Sequence, residues 1–266
     1  MMPPDGAGAD SSPRGVPEAA VLSPEPRTFV TAEWRHLLML NYAVDPRILR
    51  PHVPRGTELD DWSGTTYLSI VGFRFLKTRV LGLPIPWHRS FTEVNLRFYV
   101  RRRAAEGWRR GVVFLKEIVP RRAVAAIARF LYNEPYVSLP MSHHIELHEE
   151  TLVPGSELTY SWRHERRWCS IAGRVAGTPK ELSAQSEARF ITEHYWGYST
   201  RRGGGTTEYR VTHAPWRVTD AIEPQLVGDV ARLYGAEYAD TLAGPPRSAF
   251  VASGSPVRVG AGARIA

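Results

Sequence analysis

The sequence predicts a mainly β (α+β) domain, an antiparallel β-barrel or pair of packed sheets with a few peripheral helices. Ten runs have strand composition and two-residue alternation, against three short stretches with a helical period. Turn residues separate the runs at hairpin spacing, and the pattern lacks the helices that a doubly wound sheet needs after most strands. With 266 residues, 43% of them hydrophobic and 23% charged, the chain has ample material for one large core.

Residues 1–26 hold six prolines, three glycines and almost no large apolar side chain. Such a segment has too little to bury to offset its ordering entropy, so a disordered leader, dispensable for folding, is expected. One domain is expected over residues 27–260, with 261–266 as a flexible tail. The strand runs are 33–43, 65–75, 91–101, 111–119, 136–148, 158–164, 168–175, 188–198, 206–213 and 247–259. The first helix is expected where Asp45 caps a segment opened by Pro46 and closed by Pro51. The second is expected at 121–131, where Ala123, Val124, Ile127, Ala128 and Leu131 form one stripe, and the third at 225–234.

The net charge of +7 invites a nucleic-acid reading. Its composition argues against one. Lys77, Lys116 and Lys180 are the only lysines, so the excess is nearly all arginine, scattered in pairs that flank turns rather than gathered on one face. No apolar run approaches the ~20 residues of a membrane helix, and no apolar region follows a basic start, so neither a membrane nor a secretory route is expected. The single cysteine, Cys169, excludes an internal disulfide and a cysteine metal cage and reads as a small buried hydrophobe, with a reducing cytoplasm as the expected location.

No phosphate-binding loop, dinucleotide fingerprint, nucleophile elbow or HExxH motif occurs, and no cofactor is expected. His144, Glu146 and His148 share one face of a predicted strand at metal-ligand spacing. The same segment also reads as an ordinary half-solvated strand, and no metal is assigned. In 91–101, Thr92, Val94, Leu96, Phe98 and Val100 share one face while Glu93, Asn95 and Arg97 share the other. That second face is either the polar wall of a pocket or the wet side of a sheet. Lys116 and Glu117 interrupt the apolar run 112–119, where a charge is costly unless it is paired or functional. Alternation forbids both from pointing inward unless a bulge intervenes.

Several of these segments together resemble a known family. Glu33-Trp34-Arg35-His36, Asp45-Pro46, His52-Val53-Pro54, Tyr67 to Phe73, Glu93 to Arg97, Lys116-Glu117, Tyr132-Asn133-Glu134-Pro135-Tyr136 and Glu193-His194-Tyr195-Trp196 resemble the uncharacterised YqjF-like bacterial family over roughly residues 30–258. That family is similar in fold to acetoacetate decarboxylase, which implies a β-barrel enclosing a small-molecule pocket. Acetoacetate decarboxylase forms a Schiff base on one of two adjacent lysines beyond a glutamate-containing strand and a proline. Here the matching positions after Pro120 are Arg121 and Arg122, and the acidic positions of that site fall at Leu68 and Val80. A guanidinium that stays protonated forms no imine, so the resemblance implies the fold without decarboxylation of acetoacetate. The decarboxylase's substrate-side arginine has a counterpart in Arg35.

The expected function is therefore small-molecule binding in a polar pocket inside the barrel. Arg35, Glu93, Asn95, Arg97 and Tyr132 are its expected walls, with Lys116 and Glu117 beside them. Three cations against two carboxylates leave one surplus positive charge, which points to an anionic or carbonyl ligand. The alternative is an enzyme on a carbonyl substrate with Lys116 as amine or base and Glu117 as acid partner. A third reading is an interaction module using exposed members of the eight tryptophans. A homo-oligomer is compatible with any of the three.

Overall fold

The computed structural model describes residues 27–84, 89–126 and 133–266. The expected leader at 1–26, Tyr132 and the second half of the 121–131 helix lie outside those residues. Among the described residues the long alternating runs form β1 (Thr28–Ala43), β3 (Tyr67–Val80), β5 (Phe91–Ala104) and β6 (Gly107–Val119). Short β2 (Glu58–Leu59) and β4 (Leu83–Pro84) pair against β5 and β3. Then come β7 (Tyr136–Ser138), β8 (Met141–Ile145), β9 (Glu157–His164) and β10 (Arg167–Val175). The chain ends with β11 (Trp196–Thr200), β12 (Thr206–His213), β13 (Val218–Val227), β14 (Ser248–Gly260) and β15 (Ala263–Arg264).

Hydrogen bonding runs β12-β11-β6-β5-β3-β1-β14, and β14 pairs back onto β12, which closes a seven-stranded barrel. Closure leaves these strands no open edge to manage. β14 divides its pairing: Val257 to Val259 bond β12, while Phe250 to Ala252 bond β13. From β13 a second sheet, β13-β10-β9-β8, leaves the barrel and covers its outer face. The ladder is mixed rather than wholly antiparallel, because β6 pairs parallel to both β7 and β11.

Local chemistry explains the remaining departures. Residues 188–192, expected as strand, belong to helix α2 (Glu187–Thr192), because the Ser186 side chain accepts from the Arg189 amide and caps a first turn of Glu, Ala and Arg. β13 was not anticipated, and the helix expected at 225–234 starts only at Val230, where Asp229 caps α3 (Val230–Tyr234). Helix α1 (Pro46–Leu49) opens as expected, with Asp45 accepting from the Arg47 amide. Pro140 separates β7 from β8 in the run expected as one strand. Residues 261–266, expected as a flexible tail, are tied to β12: β15 pairs Thr207 and Glu208, and the Thr206 amide donates to the Ala266 carbonyl at 2.9 Å. Among the described residues no helix is long and apolar enough to cross a membrane.

The core has two parts, one on each face of the barrel wall. Leu38, Leu40, Ile70, Val94, Leu96 and Phe98 point outward under Leu158, Tyr160, Trp162 and Ile171 of the second sheet. Leu37, Met39, Val71, Phe73, Phe75 and Phe91 point inward and pack in the lumen. Each fully buried side chain of this size contributes ~1.5–3 kcal/mol, so the central strands are held from both sides. Phe190 of α2, packed on Tyr67 and Tyr99 with ring centroids 5.9 and 5.3 Å away, belongs to the same lumen cluster.

Candidate functional site

β5 alternates without interruption, so burying Val94, Leu96 and Phe98 under the second sheet turns Glu93, Asn95 and Arg97 into the barrel. β6 reaches the same interior by a different device. Arg97 pairs with Phe114 but Leu96 pairs with Lys116, which leaves Leu115 as an extra residue. This bulge reverses the parity of everything after it. Val112 and Phe114 face inward before it and Glu117 faces inward after it, while Lys116 is carried to the outside. β7, parallel to β6, sets Tyr136 opposite Glu117. The turn before β7 brings in Glu134, which precedes Pro135 and follows Asn133 in a left-handed conformation (φ 55°).

These residues surround an interior cavity of about 150 Å³, most of whose wall is apolar and aromatic, including Trp34, Phe73, Phe75 and Trp216. Its polar part is almost dry: Glu93, Asn95 and Glu117 are each 2% exposed and Glu134 is 4% exposed. Glu93 accepts from Asn95 Nδ2 and from the Tyr136 hydroxyl, both at 3.2 Å. The Tyr209 hydroxyl donates to Glu134 Oε1 at 2.8 Å. Arg97 Nη2 donates to the Ile191 carbonyl near the end of α2 at 3.2 Å, which fixes the guanidinium against an otherwise unsatisfied helix terminus. Among the described residues lining the cavity, eight buried atoms have no hydrogen-bond partner: Asn95 Oδ1, Arg97 Nε, Glu117 Oε2 and Glu134 Oε2 on this wall, and Trp34 Nε1, Thr78 Oγ1 and both ring nitrogens of His194 elsewhere. Leaving such a group unpaired costs ~1–3 kcal/mol, so the four on this wall are polar surface that the surrounding side chains do not satisfy.

Burial sets the protonation of the wall. It raises Glu93 to about 7, against the opposing help of Asn95, Tyr136 and Arg97. It raises Glu134 to about 8 despite the Tyr209 bond. Glu117 is raised well above the carboxylate range by burial and by the neighbouring carboxyls of Glu134 and Glu93. Glu117 and Glu134 are then held toward the protonated form, with a proton to offer, while Glu93 keeps the most anionic character of the three. His194, which lines the same cavity, is held neutral by burial and by Arg110 and Arg97.

The expected cluster of six divides. Glu93, Asn95, Arg97 and Glu117 share the cavity; Arg35 and Lys116 lie outside it. Arg35 adjoins Trp34, whose ring enters the lumen, so its own side chain points away and pairs with Glu33 at 3.0 Å beside Lys77. Lys116 donates to the Leu233 carbonyl of α3, and burial there lowers its pKa. Arg97 is therefore the one lysine or arginine among the described residues lining the cavity. Because Glu134 joins the acids and two cations leave, the surplus positive charge behind the anionic-ligand expectation is absent. The strand pattern missed Glu134, Tyr136, His194, Tyr209 and His213, although the Asn-Glu-Pro-Tyr and Glu-His-Tyr-Trp segments had already stood out in the resemblance. The histidine segment forms no site either: His144, Glu146 and His148 are exposed, with His148 Nε2 3.5 Å from Glu146.

Comparison with known proteins agrees with this geometry at the level of fold. The family model DUF2071, described as uncharacterized conserved protein, matches residues 31–256. The chain is 28% identical over 206 residues to the uncharacterized protein YqjF of Bacillus subtilis (strain 168), covering 76% of this chain and 80% of that one. Among solved structures, it is similar to the enduracididine biosynthesis enzyme MppR complexed with pyruvate, with a TM-score of 0.65 at 12% identity over 94% of this chain and 93% of that one. An acetoacetate decarboxylase-like enzyme from Sphingomonas wittichii RW1 gives a TM-score of 0.63 at 12% identity, covering 90% and 93%. At such identity the likeness is one of fold alone.

Proposed function

The chain belongs to the DUF2071 family of uncharacterized conserved proteins, and from that premise we propose that it binds a small carbonyl compound with an apolar body inside its barrel. The four orphaned polar atoms facing an aromatic cavity carry this reading. Three of them, Arg97 Nε and the protonated carboxyls of Glu117 and Glu134, are donors near neutral pH, and they call for an acceptor oxygen. The single guanidinium is already opposed by Glu93, so a neutral carbonyl suits the wall better than an anion, which would also face the partly ionised acids. About 150 Å³ is the size of an engineered cavity that encloses benzene, so the apolar body of the ligand is about one aromatic ring. That the similarly folded MppR is described in complex with pyruvate agrees with a carbonyl ligand in this type of barrel. An amine-catalysed reaction has no support from the geometry, since none of the three lysines lines the cavity.

A thermal-shift series of matched size tests the reading with phenylacetone, phenylacetate and propylbenzene. Phenylacetone is expected to raise the melting temperature most, and Asn95→Leu with Glu117→Leu to erase its advantage over propylbenzene. A larger shift with phenylacetate would restore the anionic ligand, and no shift with any of them would remove the cavity from consideration as a carbonyl site.

A further inference from the structure

Glu93, Tyr136 and Glu117 are arranged for more than retention of a ligand. We propose that this wall catalyses proton transfer at the carbon next to the ligand's carbonyl, with Glu93 as base and Glu117 as acid, so that the protein is a keto–enol isomerase or α-proton exchanger. The proposal rests on the carbonyl-ligand reading and adds chemistry to it.

The argument starts from the different surroundings of two carboxyls on neighbouring strands. Glu93 receives hydrogen bonds at both oxygens, from Asn95 and from Tyr136, and Arg97 lies close enough to favour its charge. Glu117, directly opposite Asn95 in the β5–β6 ladder, has an oxygen with no partner, and the other carboxyls press it toward its protonated form. Environments that separate two carboxyls in this way assign the base to the group whose anion is supported and the acid to the group whose anion is not. Tyr136 stands between them, hydrogen-bonded to Glu93 and in contact with Glu117, so a proton can pass along the wall without water.

A carbonyl oxygen that accepts from Glu117, which faces Asn95 across the ladder, leaves its α-carbon along the wall toward Glu93. The Glu93 carboxylate removes the α-proton, and the C–H electron pair becomes the carbon–carbon double bond. The carbonyl π pair moves onto oxygen, which takes the Glu117 proton to give the enol. Reversal returns a proton to carbon from Glu93 and one to Glu117 from oxygen. Atoms and charge balance with no oxidant, reductant or second substrate. The aromatic remainder of the cavity keeps the intermediate from water.

The experiment follows phenylacetone in D2O by proton NMR, counting the loss of α-hydrogens above the buffer rate, while saturation-transfer NMR reports binding separately. Wild-type protein is expected to accelerate exchange, and Glu93→Gln to lose it by ~10²–10⁴-fold with binding retained, the range of a positioned base. The exchange rate is expected to rise with pH through the Glu93 titration, and Glu93→Asp to restore part of it. If Glu93→Gln fails to fold, Tyr136→Phe and the wild-type pH profile decide, since a role confined to packing moves neither. Binding without exchange, or exchange unchanged by loss of the Glu93 carboxylate, overturns the catalytic inference and leaves the binding site standing. Absence of binding overturns both.

Discussion

At the scale of single residues, the buried carboxyls govern how the protein responds to pH. Glu134 has an ordinary value of 4.5 and is raised by burial to about 8 in the folded chain. The folded state therefore binds a proton that the unfolded chain has released, and the stability linked to this group is complete below about 4.5 and lost as pH rises through about 8. Glu117 shifts in the same direction. Between pH 7 and 9 the two raised carboxyls, Glu134 and Glu117, set the slope. Wild-type melting temperature is expected to fall by several degrees across that window. Glu134→Gln, which keeps an acceptor for Tyr209 but cannot ionise, is expected to flatten the fall. Differential scanning calorimetry checks this, and a variant as steep as the wild type would show that Glu134 is not charged by the rising pH.

At the scale of elements, the bulge at Leu115 decides which charge of the Lys116-Glu117 pair the barrel receives. The same residues alternating regularly, with no bulge at Leu115, would put Lys116 inside with Val112 and Phe114 and leave Glu117 outside, reversing the chemistry of the wall. Lys116 serves the outer face, where its ammonium bonds the Leu233 carbonyl of α3. Lys116→Met is accordingly expected to leave phenylacetone affinity within about twofold while costing up to ~1 kcal/mol of stability for the lost hydrogen bond. Inserting one alanine between Lys116 and Glu117, which slides the parity of Glu117 by one, is expected to abolish binding even in protein that still folds. Titration of both variants by saturation-transfer NMR separates them, and a tenfold loss in Lys116→Met would return the lysine to the site.

At the scale of the whole molecule, the second sheet holds the barrel wall in shape. Gly72 of β3 lies directly beneath it: a Cβ there would stand 2.6 Å from the Tyr160 ring and 2.9 Å from Ile171. Tyr160 has little freedom to retreat, since it is fully buried and its hydroxyl donates to the His36 carbonyl at 2.6 Å. Gly72→Ala is expected to overpack this contact and cost ~1–3 kcal/mol, read as a lower urea midpoint with an unchanged slope. An unaltered midpoint would mean that the two sheets yield more easily than their packing indicates.

What the sequence determined by itself is whatever local alternation and turn chemistry encode. The long strands, the Asp45 cap before α1 and the shared face of Glu93, Asn95 and Arg97 follow from spacing alone, because a strand's side chains must alternate whatever it packs against. Which face turns inward is a different matter. It was fixed by the second sheet covering Val94, Leu96 and Phe98, a contact between residues more than fifty positions apart. The tertiary structure alone decided that Lys116 and Arg35 lie outside, since one answers to a bulge and the other to Trp34 filling the lumen. It alone decided that Glu134, Tyr136 and Tyr209 join the wall, because a turn, a parallel pairing and a strand from the far side of the barrel bring them there. Periodicity has no term for such meetings; barrel closure creates them, and with them the carboxyl cluster on which the proposed chemistry depends.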